Sequence, residues 1–231
     1  MPTTKTQRSS RSPSRSRGRR PAARSGDAQL RVQQVDELLL QALETELGGV
    51  QVYEAAVRVA VNKALRAEWS KYLDQTRNHV TIVERLCQVR GLDADRQSPG
   101  RRIVGSLGQG LLDAIETAEQ EAPPEAAQLV AAECVTLAET KDHQNWQLLK
   151  QVTRELDGRE REEFERACDE VEDEEDEHLY HTMGWARELW LESLGLPAVL
   201  PPPEERAKVH SAVAAAAARK GRTAMAKRRN A

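Results

Sequence analysis

Aromatic residues are scarce in this chain: one Phe, three Tyr and four Trp among 231 residues. Sheets draw heavily on aromatic and β-branched side chains, so a sequence rich in Ala, Leu, Glu, Arg and Gln points away from strands and toward an all-α protein. Cysteine is scarcer still. Cys87, Cys134 and Cys168 each lie within a helical pattern and form no CxxC pair, which excludes a disulfide framework and fits thiols of a reducing compartment. No stretch reaches the ~18 apolar residues of a membrane span and no apolar leader opens the sequence, so the expectation is a cytoplasmic protein without a membrane partner. Gly105-Ser-Leu-Gly-Gln-Gly110 lacks the lysine and the flanking strand of a phosphate-binding loop, and no nucleophile-base triad is visible. Nucleotide-binding and hydrolase chemistry are therefore poor fits.

Charge is present in abundance but unevenly placed. Residues 1–26 carry eight basic residues and no acid, and residues 203–231 carry a net +6, so the overall −3 leaves −17 for residues 27–202. The first 26 residues are Arg, Ser, Pro and Gly with almost nothing to bury and are expected to be a disordered basic tail. Residues 201–231 form a second tail rich in Ala, Lys and Arg, and 27–200 remain as the folded domain.

Within that domain, apolar residues recur at steps of three and four, the spacing of one helical face. Helix A is predicted from near Leu30 to about Val61, and helix B from the Asn62 region to Gly91, a glycine suited to a helix C-cap. Residues 91–124, with Pro99, Gly100, Gly105, Gly108 and Gly110, read as a long crossover around one short helical piece, Leu111–Glu119. Helix C follows from about Pro124 to Leu156 and helix D from about Glu160 to Leu194. Two helical hairpins joined by one long connection describe an antiparallel four-helix bundle with a B–C crossover.

The apolar stripes of these helices are interrupted by charge. Glu46 follows Leu39 and Leu43 and precedes Val50 and Tyr53 on helix A. His79 lies in the row Tyr72, Thr76, His79, Val83, Leu86 on helix B. Helix C offers Glu139 and Asp142 beside His143, and helix D offers Glu174 or Glu175 with His178, and His181 one turn further. Isolated charges are very costly in a core, so such groups need a partner, and a metal ion is one. Two iron or manganese ions close together require bridging carboxylates to offset their charge, with one neutral imidazole each. Glu-x-x-His delivers both ligand types from one helical turn. The eight candidate metal ligands are therefore Glu46, His79, Glu139, Asp142, Glu174, Glu175, His178 and His181.

Glu46-Leu47, with Tyr53 seven residues after the glutamate, resembles the first helix of bacterioferritins, and Glu175-Asp176-Glu177-His178 resembles their last-helix Glu-x-x-His. The stretch Tyr72-Leu-Asp-Gln-Thr-Arg-Asn-His79, leading to Glu84-Arg85-Leu86, is similar to stress-induced ferritin-like proteins. These likenesses imply a ferritin-like fold, dinuclear iron or manganese held by Glu46, Glu175 and His178, iron oxidation or peroxide disposal under oxidative stress, and a homo-oligomer. One departure stands out. Where a Glu-x-x-His on helix B would place its glutamate, the chain has Thr76, and Asp142, Glu139 or Glu174 are the geometric replacements.

Basic ends on an acidic body suit phosphate backbones, because neutralising phosphates releases counterions whatever the base sequence. Starvation-induced DNA-binding ferritins use a basic tail in this way. By that resemblance Arg11, Arg15, Arg17, Arg19, Arg20, Lys227, Arg228 and Arg229 are expected nucleic-acid contacts. The alternative is a metal-free bundle that binds nucleic acid non-specifically through its tails.

Overall fold

A computed structural model describes residues 31–203 and Lys220 of the chain. The 1–26 tail, nearly all of the C-terminal tail and the eight expected nucleic-acid contacts lie outside the described residues. Five α-helices run in order: α1 (Val32–Val59), α2 (Lys63–Arg90), α3 (Pro99–Glu121), α4 (Pro124–Thr153) and α5 (Gly158–Ser193). No described helix is long and apolar enough to cross a membrane.

Cross-helix pairs fix the directions. Arg90, at the end of α2, meets Asp36 near the start of α1 at 2.9 Å, and Arg77 meets Glu54 at 2.8 Å, so α1 and α2 are antiparallel. The start of α4 returns to the end of α1, where the Gln128 side-chain carbonyl accepts from the Val61 and Asn62 amides. α5 runs against α2, with Lys71 and Glu177 2.8 Å apart. α1, α2, α5 and α4 thus form a ring of four in which every neighbouring pair is antiparallel.

Local chemistry sets the ends. The Asn62 side chain accepts from the Ala64 and Leu65 amides and caps α2, and Gly91 closes it with φ +65°, the left-handed conformation that a glycine adopts without steric cost. The expected C-cap at Gly91 is present.

The expectation of four helices and a mostly irregular crossover was wrong at α3. Residues 99–121 form one continuous helix that runs parallel to α1 and packs on α1 and α4. The Ser98 hydroxyl accepts from the Arg101 amide and Pro99 occupies the first turn, a strong helix start. Three of the four glycines that read as breakers, Gly100, Gly105 and Gly108, are contact points. A Cβ on Gly105 would lie 2.8 Å from Glu44 Oε1, and one on Gly108 would lie 3.9 Å from the Gly48 backbone. Arg101 of α3 pairs with Glu44 at 2.8 Å, and Arg58 of α1 pairs with Glu119 at 2.9 Å. Tertiary contact along its whole length overrides the weak intrinsic propensity of glycine.

Candidate metal centre

The four helices of the ring each send acids or histidines inward at mid-length. α1 contributes Glu46, α2 His79, α4 Glu139 and Asp142, and α5 Glu175 and His178, none of them more than 5% exposed. They face inward because their apolar neighbours do. Leu39, Leu43 and Tyr53 on α1, Tyr72, Val83 and Leu86 on α2, and Val171 and Trp185 on α5 are all buried on the same stripes.

Two triads result, Glu46-His79-Glu175 and Glu139-His178-Glu175, in each of which the ligand-type atoms lie within 4.8 Å of one another. They share Glu175. His79 Nδ1 is 3.2 Å from Glu175 Oε1 and 3.7 Å from Glu46 Oε2. His178 Nδ1 is 3.8 Å from both Glu139 Oε2 and Glu175 Oε1. None of these contacts closes a hydrogen bond: Glu46 Oε2, His79 Nδ1, Glu139 Oε2, Asp142 Oδ1, both Glu175 oxygens and His178 Nδ1 are buried without a hydrogen-bond partner.

The outward sides of the same groups are satisfied. His79 Nε2 donates to Glu174 at 2.8 Å, and His178 Nε2 donates to the Gln75 side-chain carbonyl at 3.0 Å. A carboxylate and an amide oxygen only accept, so each imidazole donates outward from Nε2, and in His178, whose charged form burial disfavours, Nδ1 turns its lone pair to the cluster. The Trp146 indole donates to Glu46 Oε1 at 2.8 Å and orients that carboxylate. Tyr53 faces Glu139, whose charge, after burial itself, raises the phenol well above its usual range.

Electrostatics record how crowded the acids are. Burial first, then the charges of Asp142 and Glu175, push Glu46 well above the carboxylate range. Burial and then Asp142 raise Glu139 to about 8. Asp142 and Glu175 are likewise raised well above normal, each by burial first and then by a neighbouring carboxylate. His178 is lowered well below its usual value by burial and then by His79. Glu174 moves the other way, held low by the hydrogen bond from His79.

Six of the eight sequence candidates converge here and two stand apart. Glu174 is partly exposed and meets the cluster only through the outer nitrogen of His79. Periodicity allowed either Glu174 or Glu175 to follow Val171, and the packing of α5 turns Glu175 inward. His181 pairs instead with Glu68 at 2.6 Å, one turn toward the α5 C-terminus, with the Tyr72 hydroxyl 3.3 Å away. His143 lies outside as well, 3.5 Å from Asp176. Thr76 spends its hydroxyl on the Tyr72 carbonyl, so α2 supplies no fourth acid, whereas α4 supplies two. Sequence reasoning missed Gln75, although it precedes His79 by four residues on the same helical face.

The donor set suits metal. Carboxylates and imidazoles without a thiolate suit divalent metals that do not require soft ligands, and four buried acids would balance two divalent cations. The pair of triads is compatible with two ions. No protein-family model, curated protein or solved structure matches the chain.

Proposed function

We propose that this chain is a ferritin-like protein whose bundle holds two iron or manganese ions and acts in iron oxidation or peroxide disposal under oxidative stress. The observation that carries the proposal is the set of seven buried, unpartnered atoms on six residues from four helices. An orphaned buried polar group costs about 1–3 kcal/mol. A cation pair that takes up these atoms offsets that cost.

Glu46, His79 and Glu175 would hold one ion and Glu139, His178 and Glu175 the other, with Asp142 replacing the carboxylate that Thr76 does not provide. Bound, the ions would supply electron transfer to or from oxygen or peroxide. The residues do the rest. Loading requires the raised carboxyls to give up their protons, so uptake is coupled to proton release. Glu174 and Gln75 fix the tautomers and ring orientations of His79 and His178. Trp146 keeps one oxygen of Glu46 engaged and leaves the other turned to the cluster.

The test is anaerobic loading of the metal-free protein with Fe(II), measurement of bound iron per chain, and admission of oxygen while ferric absorbance is followed in the near ultraviolet. The expected result is about two irons per chain, oxidised rapidly, with both properties lost in Glu46→Ala and His178→Ala. No bound iron and no bound manganese would overturn the proposal.

A further inference from the structure

Beside the acid cluster, a cavity of about 270 Å³ lies between α1, α3 and α4. Its walls are apolar, with Val52 from α1, Val104 and Leu111 from α3, and Leu107 and Leu137 at the rim. Both rim leucines are more than half exposed, at 62% and 59%. The floor is made by absence of side chains. A Cβ on Gly48 would meet nothing within 4 Å, so close packing does not demand a glycine there. The cavity opens to solvent between the rim leucines, so its apolar walls face water that an apolar ligand would displace.

The polar groups at the edge indicate what fills it. Glu44 borders the cavity but is neutralised by Arg101 at 2.8 Å. Lys141 borders it too. Its ammonium donates to the neutral Asn145 side chain, and the Asp142 carboxyl that attracts it makes no ion pair with it among the described residues. An apolar slot with one half-buried ammonium at its edge is complementary to an apolar chain ending in a single negative charge. We infer that this cavity binds a medium-chain carboxylate, with the alkyl chain between α1 and α3 and the carboxylate on Lys141.

The inference is independent of the metal proposal, so it is tested on the metal-free full-length protein by calorimetric titration with octanoate and, in parallel, octanol. Octanoate is expected to bind saturably at one site per chain. Lys141→Met should weaken octanoate about tenfold and octanol by no more than about twofold. Gly48→Leu, whose Cβ would meet nothing within 4 Å, should fill the slot and abolish binding of both. Gly108→Leu is the second filling variant, with helical circular dichroism and thermal melting confirming that each variant is folded. No saturable octanoate binding would overturn the inference. Binding at wild-type strength in both folded filling variants would do the same, as would an unchanged octanoate-to-octanol preference in Lys141→Met.

Discussion

Two groups of glutamate, histidine and tyrosine lie one helical turn apart in the bundle, and they end in opposite states. Around His181 the Glu, His and Tyr atoms are spent: Glu68 Oε1 meets His181 Nδ1 at 2.6 Å and accepts from the Tyr72 hydroxyl at 2.9 Å, and Glu68 Oε2 accepts from Trp185 at 3.1 Å. Burial alone would lower His181, but the hydrogen bond and charge of Glu68 outweigh it, and its pKa rises. Around His79 and His178 the inner atoms are unspent, while the outer ones are held by Glu174 and Gln75. Buried Glu and His therefore do not of themselves indicate a metal. What separates a structural ion pair from a ligand set is whether the lone pairs converge on one another or on a donor.

The sharpest way to break this comparison is to exchange the losses. Glu175→Ala removes the carboxylate common to both triads and should abolish binding of both ions, read as metal per chain. Glu68→Ala should leave metal content unchanged and lower stability by about 1–3 kcal/mol in urea unfolding. Equal metal loss in both variants would erase the distinction between the two groups.

Smaller effects refine it. Glu174→Gln keeps the size of the side chain but weakens the grip on His79, and should lower metal affinity about 10–100-fold while His181→Gln leaves it unaltered. Chelation should lower the melting temperature by about 5–10 °C if the ions are present at ~100 times their Kd.

The metal-free protein should also depend on pH in the direction opposite to acid denaturation. Glu139 titrates near 4.5 unfolded and at about 8 folded, so the native state holds the extra proton. Its contribution is complete below about 4.5 and is lost as pH rises through about 8. Glu46, Asp142 and Glu175 act in the same sense. His178 acts in the opposite sense, but only below its ordinary value of 6.5. Urea midpoints of the chelated protein should accordingly fall between pH 6.5 and 8, and metal loading should remove that slope. The smallest expected effect concerns the basic ends, whose +8 and +6 charges favour non-specific nucleic-acid binding. Deleting residues 1–26 and 203–231 should weaken gel-shift affinity and its salt dependence without changing metal content.

The sequence by itself determined the helices of the ring and the positions of their polar interruptions, because both depend on spacings of three and four residues within one element. Glu46, His79 and His178 were legible on that ground as charges placed among Leu, Val and Tyr. Only the tertiary structure decided between Glu174 and Glu175, since both spacings are helical and the choice rests on how α5 turns against α2 and α4. The same holds for α3. Its glycines weaken a helix in isolation, and the contacts that hold it come from α1 and α4, distant in sequence. Which histidines carry an unspent nitrogen was equally out of reach, because that depends on whether Glu174, Gln75 or Glu68 arrives from another element, and hydrogen-bond satisfaction is a property of the assembled core.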